Sequence, residues 1–228
     1  MRRNPSILLG AIVAAGVGAF ALLAWAYSGD GLISEVDREV AAWVAAHVPT
    51  WAEWLARPFS WLGGWVCVTL LALGAVALLL RRRRWADALL VVVSLAGIQL
   101  LTLGFKQAFE RSRPDDGSAI PLPPSYSFPS GHAGTAAAFF GALTLLAAAA
   151  AAAAVPAGRR RLLVLAVGAA IALAIGASRV VLNVHYVSDV LAGFALGLAW
   201  LALCLLALSS LPGVDRTSRI RHEPVTDT

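Results

Sequence analysis

The sequence predicts an all-α fold: a polytopic membrane bundle of six transmembrane helices, with an interfacial helical segment between the first two spans. Composition indicates this class, because 59% of the 228 residues are apolar, 14% are charged and the mean hydropathy is +0.76. The apolar residues also fall into six runs of about 20 residues, the length that a helix needs to cross a bilayer. Basic residues cluster between these runs, as they do in membrane proteins.

The apolar runs place six spans at about 6–27, 60–80, 86–107, 133–155, 162–182 and 187–211, followed by a tail at 212–228. The first run also has features of a signal peptide, since Ala24-Trp25-Ala26 has the form of a cleavage site, but its length favours a retained span. Prolines crowd the segment between the third and fourth spans and predict a loop there. Without repeats or a linker, residues 1–228 are expected to form a single integral-membrane domain.

Residues 30–58, between the first two spans, have the pattern of an interfacial helix. Ser34 and Asp37 have the spacing of a capping box, and Pro49 is expected to break the helix. We interpret His47 as an interfacial side chain, because no other metal-ligating residues cluster with it. Four tryptophans suit the membrane surface: Trp51, Trp54, Trp61 and Trp65. Cys67 and Cys204 lie in apolar runs without CxxC spacing, which favours small buried side chains.

The positive charge of the chain is distributed as a topology signal. Twelve of the 18 Lys and Arg residues cluster at alternate helix ends: at 2–3, 81–84, 159–161 and 216–221. The positive-inside rule then places both termini in the cytoplasm of a plasma-membrane protein, and no nucleic-acid partner is expected. The remaining six lie at the opposite ends and require another explanation: Arg38, Arg57, Lys106, Arg111, Arg113 and Arg179.

Two polar islands flank the proline-rich loop on the predicted outer side. Lys106 and Arg113 are seven residues apart, which puts them on one face of a helix that Pro114 is expected to end. Snorkelling of two helix-end cations would explain them equally well. In PSGH (129–132), Ser130 is a predicted helix N-cap, and Gly131 lets the backbone approach a ligand where helix amides attract anions.

A third island joins the fifth and sixth spans. Arg179 lies at the end of one span, while His185 and Asp189 are four residues apart at the start of the next. On a helix this spacing brings the carboxylate beside the imidazole, where it can fix the tautomer. Such a pair also occurs by chance, but three cations, helix amides and two histidines on one side together predict a phosphate site with its own acid, base and nucleophile.

These islands resemble the three signatures of the type 2 phosphatidic acid phosphatase superfamily, which includes lipid phosphate phosphatases and vanadium haloperoxidases. The pattern K-x6-RP corresponds to 106–114, PSGH to 129–132 and SR-x5-H-x3-D to 178–189. The resemblance implies that His185 is a nucleophile forming a phosphohistidine, that Asp189 orients it, and that His132 is the general acid and then the base. It also implies the groups that bind the phosphate oxygens: Lys106, Arg113, Ser130, the amide of Gly131 and Arg179.

The expected function is therefore a membrane lipid phosphate phosphatase that acts on a phosphomonoester or diphosphate head group of the polyprenyl diphosphate, phosphatidic acid or phosphatidylglycerophosphate type. Its partners would be this substrate and membrane lipids, and its active site would face the extracytoplasmic side. No metal or other cofactor is expected, and Asp115 and Asp116 are interpreted as solvated. Alternatives are a lipid-linked phosphotransferase and an anion- or lipid-binding transporter, while six spans are superfluous for a haloperoxidase. The lipid and the oligomeric state are open.

Overall fold

A computed structural model describes residues 5–27, 31–114, 117–154 and 158–210, and every regular element in these ranges is helical. The predictions for Asp115, Asp116 and the tail at 212–228 lie outside the described residues. The helices are α1 (Pro5–Tyr27), α2 (Leu32–His47), α3 (Thr50–Leu62), α4 (Trp65–Arg81), α5 (Trp85–Phe109), α6 (Gly131–Thr135), α7 (Gly141–Ala154), α8 (Gly158–Val181) and α9 (Val187–Ser209). A π-helical turn, Ala136–Phe140, joins α6 to α7. The all-α prediction is confirmed.

Within the described ranges, five helical runs are long and apolar enough to cross a membrane: Pro5–Tyr27, Trp85–Phe109, Gly131–Ala151, Gly158–Val181 and Val187–Ser209. A sixth crossing exists if α3 and α4, which meet at a 45° bend, form one span. The prediction of one helix over 60–80 was wrong at its start. Gly64 is extended, with φ −73° and ψ 153°, so the chain breaks there and α4 begins at Trp65.

The segment between the first two spans contains two helices separated at Pro49, as predicted. The predicted capping box of Ser34 and Asp37 is wrong. Gly31 precedes the first helical residue, so Ser34 lies inside the first turn, where its hydroxyl donates to the carbonyl of Tyr27 at 2.9 Å. The Asp37 side chain is buried and turns toward α9. The position of this segment at the membrane surface stays a prediction.

Helix α9 is the centre of the bundle, where it packs against α1, α5, α6 and α8. Its contact with α6 is close because two glycines of α9 face the backbone of α6. A β-carbon at Gly193 would lie 2.5 Å from the carbonyl oxygen of Ser130, and one at Gly197 would lie 2.5 Å from that of Gly134. The start of α6 is therefore held against the start of α9. Cys67 and Cys204 are free and buried, as predicted.

The direction of the helices determines where the site forms. The C-terminal ends of α5 and α8 meet the N-terminal ends of α6 and α9, since α5 contacts α6, and α8 contacts both α6 and α9. The three polar islands lie at these ends. The fold thus brings together islands that are up to about 80 residues apart along the chain.

Candidate active site

Lys106 lies in the last turn of α5 and is buried, with 8% of its surface exposed. Its Nζ donates to the carbonyl oxygen of Ser127 at 3.2 Å and to that of Tyr126. Both carbonyls belong to the segment that leads into α6. The lysine is therefore directed into the protein rather than toward a membrane surface, which argues against the snorkelling interpretation.

Arg113 also bonds to the segment that leads into α6, but it does not lie on the helix as predicted. Helix α5 ends at Phe109, because Glu110 adopts a left-handed conformation with φ 47° and ψ 30°. Arg113 therefore lies beyond the helix, and the argument from one helical face was wrong. Its guanidinium is anchored by the carbonyl of Val184 at 2.6 Å and by that of Ser125 at 2.8 Å. Burial, opposed by the charge of Asp189, lowers the pKa of Arg113.

His185 lies just before α9 and forms hydrogen bonds through both ring nitrogens. Nε2 is 3.0 Å from Nη1 of Arg113, while Nδ1 is 3.3 Å from Oδ2 of Asp189. A guanidinium can only donate, so Nε2 is the acceptor and Nδ1 carries the hydrogen. Burial lowers the pKa of His185 to about 3; Asp189 opposes this shift, whereas Arg113 and Lys106 add to it. The imidazole is therefore neutral near pH 7, with a lone pair on Nε2.

Asp189 is fully buried and accepts hydrogen bonds on both oxygens. Oδ2 accepts from Nδ1 of His185, from the backbone amide of Tyr186 at 3.0 Å and from the hydroxyl of Ser127. Oδ1 accepts from Nη1 of Arg111 at 2.6 Å. The predicted pair of His185 and Asp189 thus forms, and the carboxylate is fixed from two sides.

His132 occupies the first turn of α6. The predicted N-cap is confirmed, since Oγ of Ser130 accepts from the amide of Ala133 at 3.5 Å. Nε2 of His132 is 3.1 Å from the carbonyl oxygen of Ser60, in the last turn of α3. The ring also lies against the bend between α3 and α4, because a β-carbon on Gly63 would be 3.0 Å from its Cδ2. The bend therefore helps to seat this histidine.

Arg179 lies in the last turn of α8 and is buried. Its Nη1 donates to the hydroxyl of Ser60, so one residue of α3 holds both Arg179 and His132. In the described part of the chain, Nε of Arg179 is buried and has no hydrogen-bond partner. A buried guanidinium with an unused donor is suited to an anionic ligand.

All eight predicted site residues therefore lie where the ends of α5, α6, α8 and α9 meet. The described ranges contain no group of three or more His, Cys, Asp or Glu side chains that could hold a metal. Sequence reasoning missed three polar residues that contact the predicted ones, Ser60, Arg111 and Ser127. It also missed Asp37, which pairs with Arg111. Two of the missed residues have a detectable signal, since Arg111 is an unexplained cation on the predicted outer side and Ser127 lies two residues before PSGH.

Comparison with known proteins identifies the family. The family model for the PAP2 superfamily matches residues 87–211, more than half of the chain. The chain belongs to the PAP2 superfamily. The matched region of this PAP2 protein contains all eight predicted site residues, and the predicted resemblance is confirmed. Helices α2 and α3, which carry Asp37 and Ser60, precede the matched region.

Two curated relatives of this PAP2 protein are phosphatases by name. Phosphatidylglycerophosphatase B of Bacillus subtilis (strain 168) is 35% identical over 117 residues, which are 51% of this chain and 55% of the relative. Lipid A 1-phosphatase of Rhizobium johnstonii (strain DSM 114642 / LMG 32736 / 3841) is 34% identical over 113 residues, which are 46% of this chain and 40% of the relative. The chain thus spans about half or less of the length of these relatives.

A solved structure matches more of this PAP2 protein. It is a transmembrane PAP2-type phosphatidylglycerolphosphate phosphatase from Bacillus subtilis, with a TM-score of 0.75 and 27% identity. The match covers 91% of this chain and 99% of the solved one. The protein is therefore an integral membrane protein with the helical fold of the membrane PAP2 enzymes.

Proposed function

We propose that the protein is a lipid phosphate phosphatase that hydrolyses a phosphomonoester or diphosphate head group through a phosphohistidine. The observation that carries the proposal is the nitrogen Nε2 of His185, which is unprotonated and 3.0 Å from Arg113. Attack on phosphorus requires a lone pair beside cations that bind the phosphate. The names of the two curated relatives and of the solved structure support a phosphate ester of a membrane lipid as the substrate.

The first step would transfer the phosphoryl group to His185. A phosphate oxygen would replace Nε2 as the acceptor for Arg113, and the lone pair of Nε2 would then form the bond to phosphorus. The bond from phosphorus to the leaving oxygen would break with its electron pair, and His132 would give that oxygen a proton. Asp189 would stabilise the positive charge that develops on the imidazole.

The second step would return the enzyme to its starting state. His132, now neutral, would take a proton from water as the water oxygen attacks phosphorus, and the bond to Nε2 would break with its pair returning to nitrogen. In both steps Lys106, Arg113 and Arg179 would neutralise the phosphate oxygens, helped by Ser130 and the amide of Gly131. The unused Nε of Arg179 supports this role. Space also supports it for Gly131, because a β-carbon there would make only ordinary contact with Thr102 at 3.4 Å.

Release of phosphate from a panel of lipids tests this function. The purified protein should release inorganic phosphate from one or more of phosphatidic acid, phosphatidylglycerophosphate and polyprenyl diphosphate in detergent. Rates across the panel would identify the substrate class. Phosphate that appears only on an added alcohol acceptor would instead indicate a phosphotransferase, and binding without turnover would indicate a transporter or lipid-binding protein.

We expect phosphate release to continue in EDTA, because the proposed phosphate ligands are cationic side chains and helix amides rather than a metal. Vanadate should inhibit, since its five-coordinate form resembles the phosphorus at the transition state. The measurement is the initial rate with and without each reagent. A complete loss of activity in EDTA, with rescue by Mg²⁺, would contradict the mechanism.

We further propose that the site opens on the extracytoplasmic side of the plasma membrane. Among the described residues, the arginines at 81–84 precede α5 and those at 159–161 lie at the start of α8, whereas Lys106 and Arg179 lie in the last turns of the same helices. The two arginine clusters are thus at the opposite ends of these helices from the site. The positive-inside rule puts such clusters in the cytoplasm.

This topology predicts the reactivity of introduced cysteines. Arg82 lies just before α5, Ser125 lies in the loop that follows α5, and both are exposed. Ser125→Cys should react with a membrane-impermeant thiol reagent in intact cells, and Arg82→Cys should react only after lysis. The native protein is the control, since Cys67 and Cys204 are buried. The reverse pattern would mean that the site opens on the cytoplasmic side.

A further inference from the structure

Arg111 is a partly buried cation, with 10% of its side chain exposed, to which the three sequence signatures assign no role, although it contacts the candidate site. We propose that Arg111, held in place by Asp37 of α2, is a positioning residue that orients Asp189 and balances its charge for the reaction of His185. This inference rests on the proposed function, because it assumes that His185 is the nucleophile. It adds a residue pair and a helix, α2, that lies outside the region matched by the family model.

The first support is that the two carboxylate oxygens of Asp189 have different hydrogen-bond partners. Oδ1 is 2.6 Å from Nη1 of Arg111, while Oδ2 faces His185 and Ser127. A carboxylate held at both oxygens cannot rotate freely, so the acceptor for Nδ1 of His185 has a fixed position. The effect of Arg111 on His185 would pass through Asp189, because a carboxylate that accepts from one ring nitrogen sets the tautomer of the imidazole.

The second support is that Arg111 is itself held from several directions. Nη2 is 2.8 Å from Oδ2 of Asp37, and Nη1 is also 2.7 Å from the hydroxyl of Ser188. The guanidinium lies between two aromatic rings, 4.6 Å from the centroid of Tyr27 and 4.3 Å from that of Tyr186. Burial opposes its charge, but Asp189 and Asp37 outweigh this effect and raise the pKa of Arg111.

The third support is that Asp37 is itself tied to the start of α9. Its Oδ1 accepts from the amide of Ser188 at 3.1 Å, and its Oδ2 accepts from the Ser188 hydroxyl. Asp37 is 3% exposed, so its charge would be costly to bury without a charged partner. Arg111 therefore bridges two buried carboxylates, and only a planar guanidinium donates to both with fixed geometry.

The charges of this cluster give a test that separates positioning from simple structural support. Asp37, Arg111 and Asp189 together carry one net negative charge. Arg111→Gln raises the net charge of the three positions to two negative charges, and Asp37→Asn lowers it to zero. The double variant Asp37→Asn/Arg111→Gln restores one negative charge but removes the bridge. The other groups that face His185 are unchanged: Arg113, Lys106 of α5 and His132 of α6.

The experiment measures kcat and the pH dependence of kcat/KM for the full-length variants in detergent, with phosphatidic acid as the probe. Because Asp189 is no longer balanced in Arg111→Gln, His185 should hold its proton more strongly. The acidic limb of the pH profile of kcat/KM should then shift to a higher pH, by about one unit or more. The double variant should keep the limb of the wild type but lose about 10²-fold in kcat, since the acceptor for Nδ1 is no longer fixed.

Arg111→Lys completes the series, because it keeps the charge without the bidentate geometry. Arg111→Lys should leave the acidic limb of the kcat/KM profile at the same pH and should lower kcat less than Arg111→Gln does. A fall in kcat with the same limb in Arg111→Gln would mean that Arg111 only supports the structure and would overturn the proposal. If that variant does not purify as a monodisperse protein, the double variant decides, since a wild-type kcat there would also overturn it.

Failure of this proposal can be told from failure of the proposed function. If the wild-type protein releases no phosphate from any lipid in the panel, or if His185→Ala is as active as the wild type, then the function itself is wrong. If the wild type is active, His185→Ala is inactive and the Arg111 series behaves like the wild type, then only the positioning role is wrong.

Discussion

His185→Ala should abolish phosphate release while leaving the protein folded. The imidazole is hydrogen-bonded to the polar groups of Arg113, Asp189 and Ser127, so its removal leaves the apolar clusters of the core in place. Loss of a nucleophile lowers the rate by several orders of magnitude, to about the level set by binding alone. Initial rates and the elution profile of the purified variant measure the two parts of this prediction.

The covalent intermediate provides the sharper measurement. Rapid quenching at alkaline pH, with substrate labelled in the phosphate, should trap label on the wild-type protein and none on His185→Ala. His47→Ala is the matched control, because His47 is exposed, stacks on Trp43 at 5.1 Å and lies outside the site. It should be labelled like the wild type. Equal labelling of His185→Ala would mean that another residue is the nucleophile.

His132→Ala should lower kcat/KM by an amount that depends on the leaving group. An alkoxide is a far more basic leaving group than nitrophenolate, which needs little protonation. We therefore expect a loss of about 10²- to 10⁴-fold with phosphatidic acid, but a far smaller loss with p-nitrophenyl phosphate. A diphosphate lipid should lie between them, because its leaving group is itself a phosphate.

The same variant also tests the second step. With p-nitrophenyl phosphate, the first step needs little acid, but water still requires a base, so His132→Ala should release a burst of nitrophenolate and then turn over slowly. Comparison by kcat/KM keeps this second step out of the leaving-group test. Equal losses of kcat/KM for all three substrates, with the first chemical step limiting, would mean that His132 binds phosphate and does not donate the proton.

The helices and most of their ends could be predicted from the sequence, because a spanning segment is constrained by its own composition. A run of about 20 apolar residues satisfies its backbone hydrogen bonds within itself, whichever helices surround it. The start of the second span could not be predicted in this way. The apolar run continues through Gly63 and Gly64, and the break lies where Gly63 packs against His132 and Ile175, which are distant in sequence.

The predicted site residues could be found because chemistry restricts them to a few side-chain types in compact motifs. Their partners could not. Asp37 lies 74 residues from Arg111 and 151 from Ser188 in sequence, so nothing local distinguishes it from a helix cap. Ser60 is equally inconspicuous, although its carbonyl and hydroxyl hold a histidine and an arginine from two other helices.

By itself the sequence therefore determined the all-α membrane fold, the approximate spans and the residues proposed to do the chemistry, since hydropathy and residue type are local properties. Only the tertiary structure decided how those residues are held. It placed Arg113 beyond the end of α5, directed Nε2 of His185 toward it, and brought α2 and α3 against the site. The physical reason is that hydrogen bonds between buried polar groups depend on distances and angles that only the packed helices define. The burial of an apolar helix does not depend on such precise geometry.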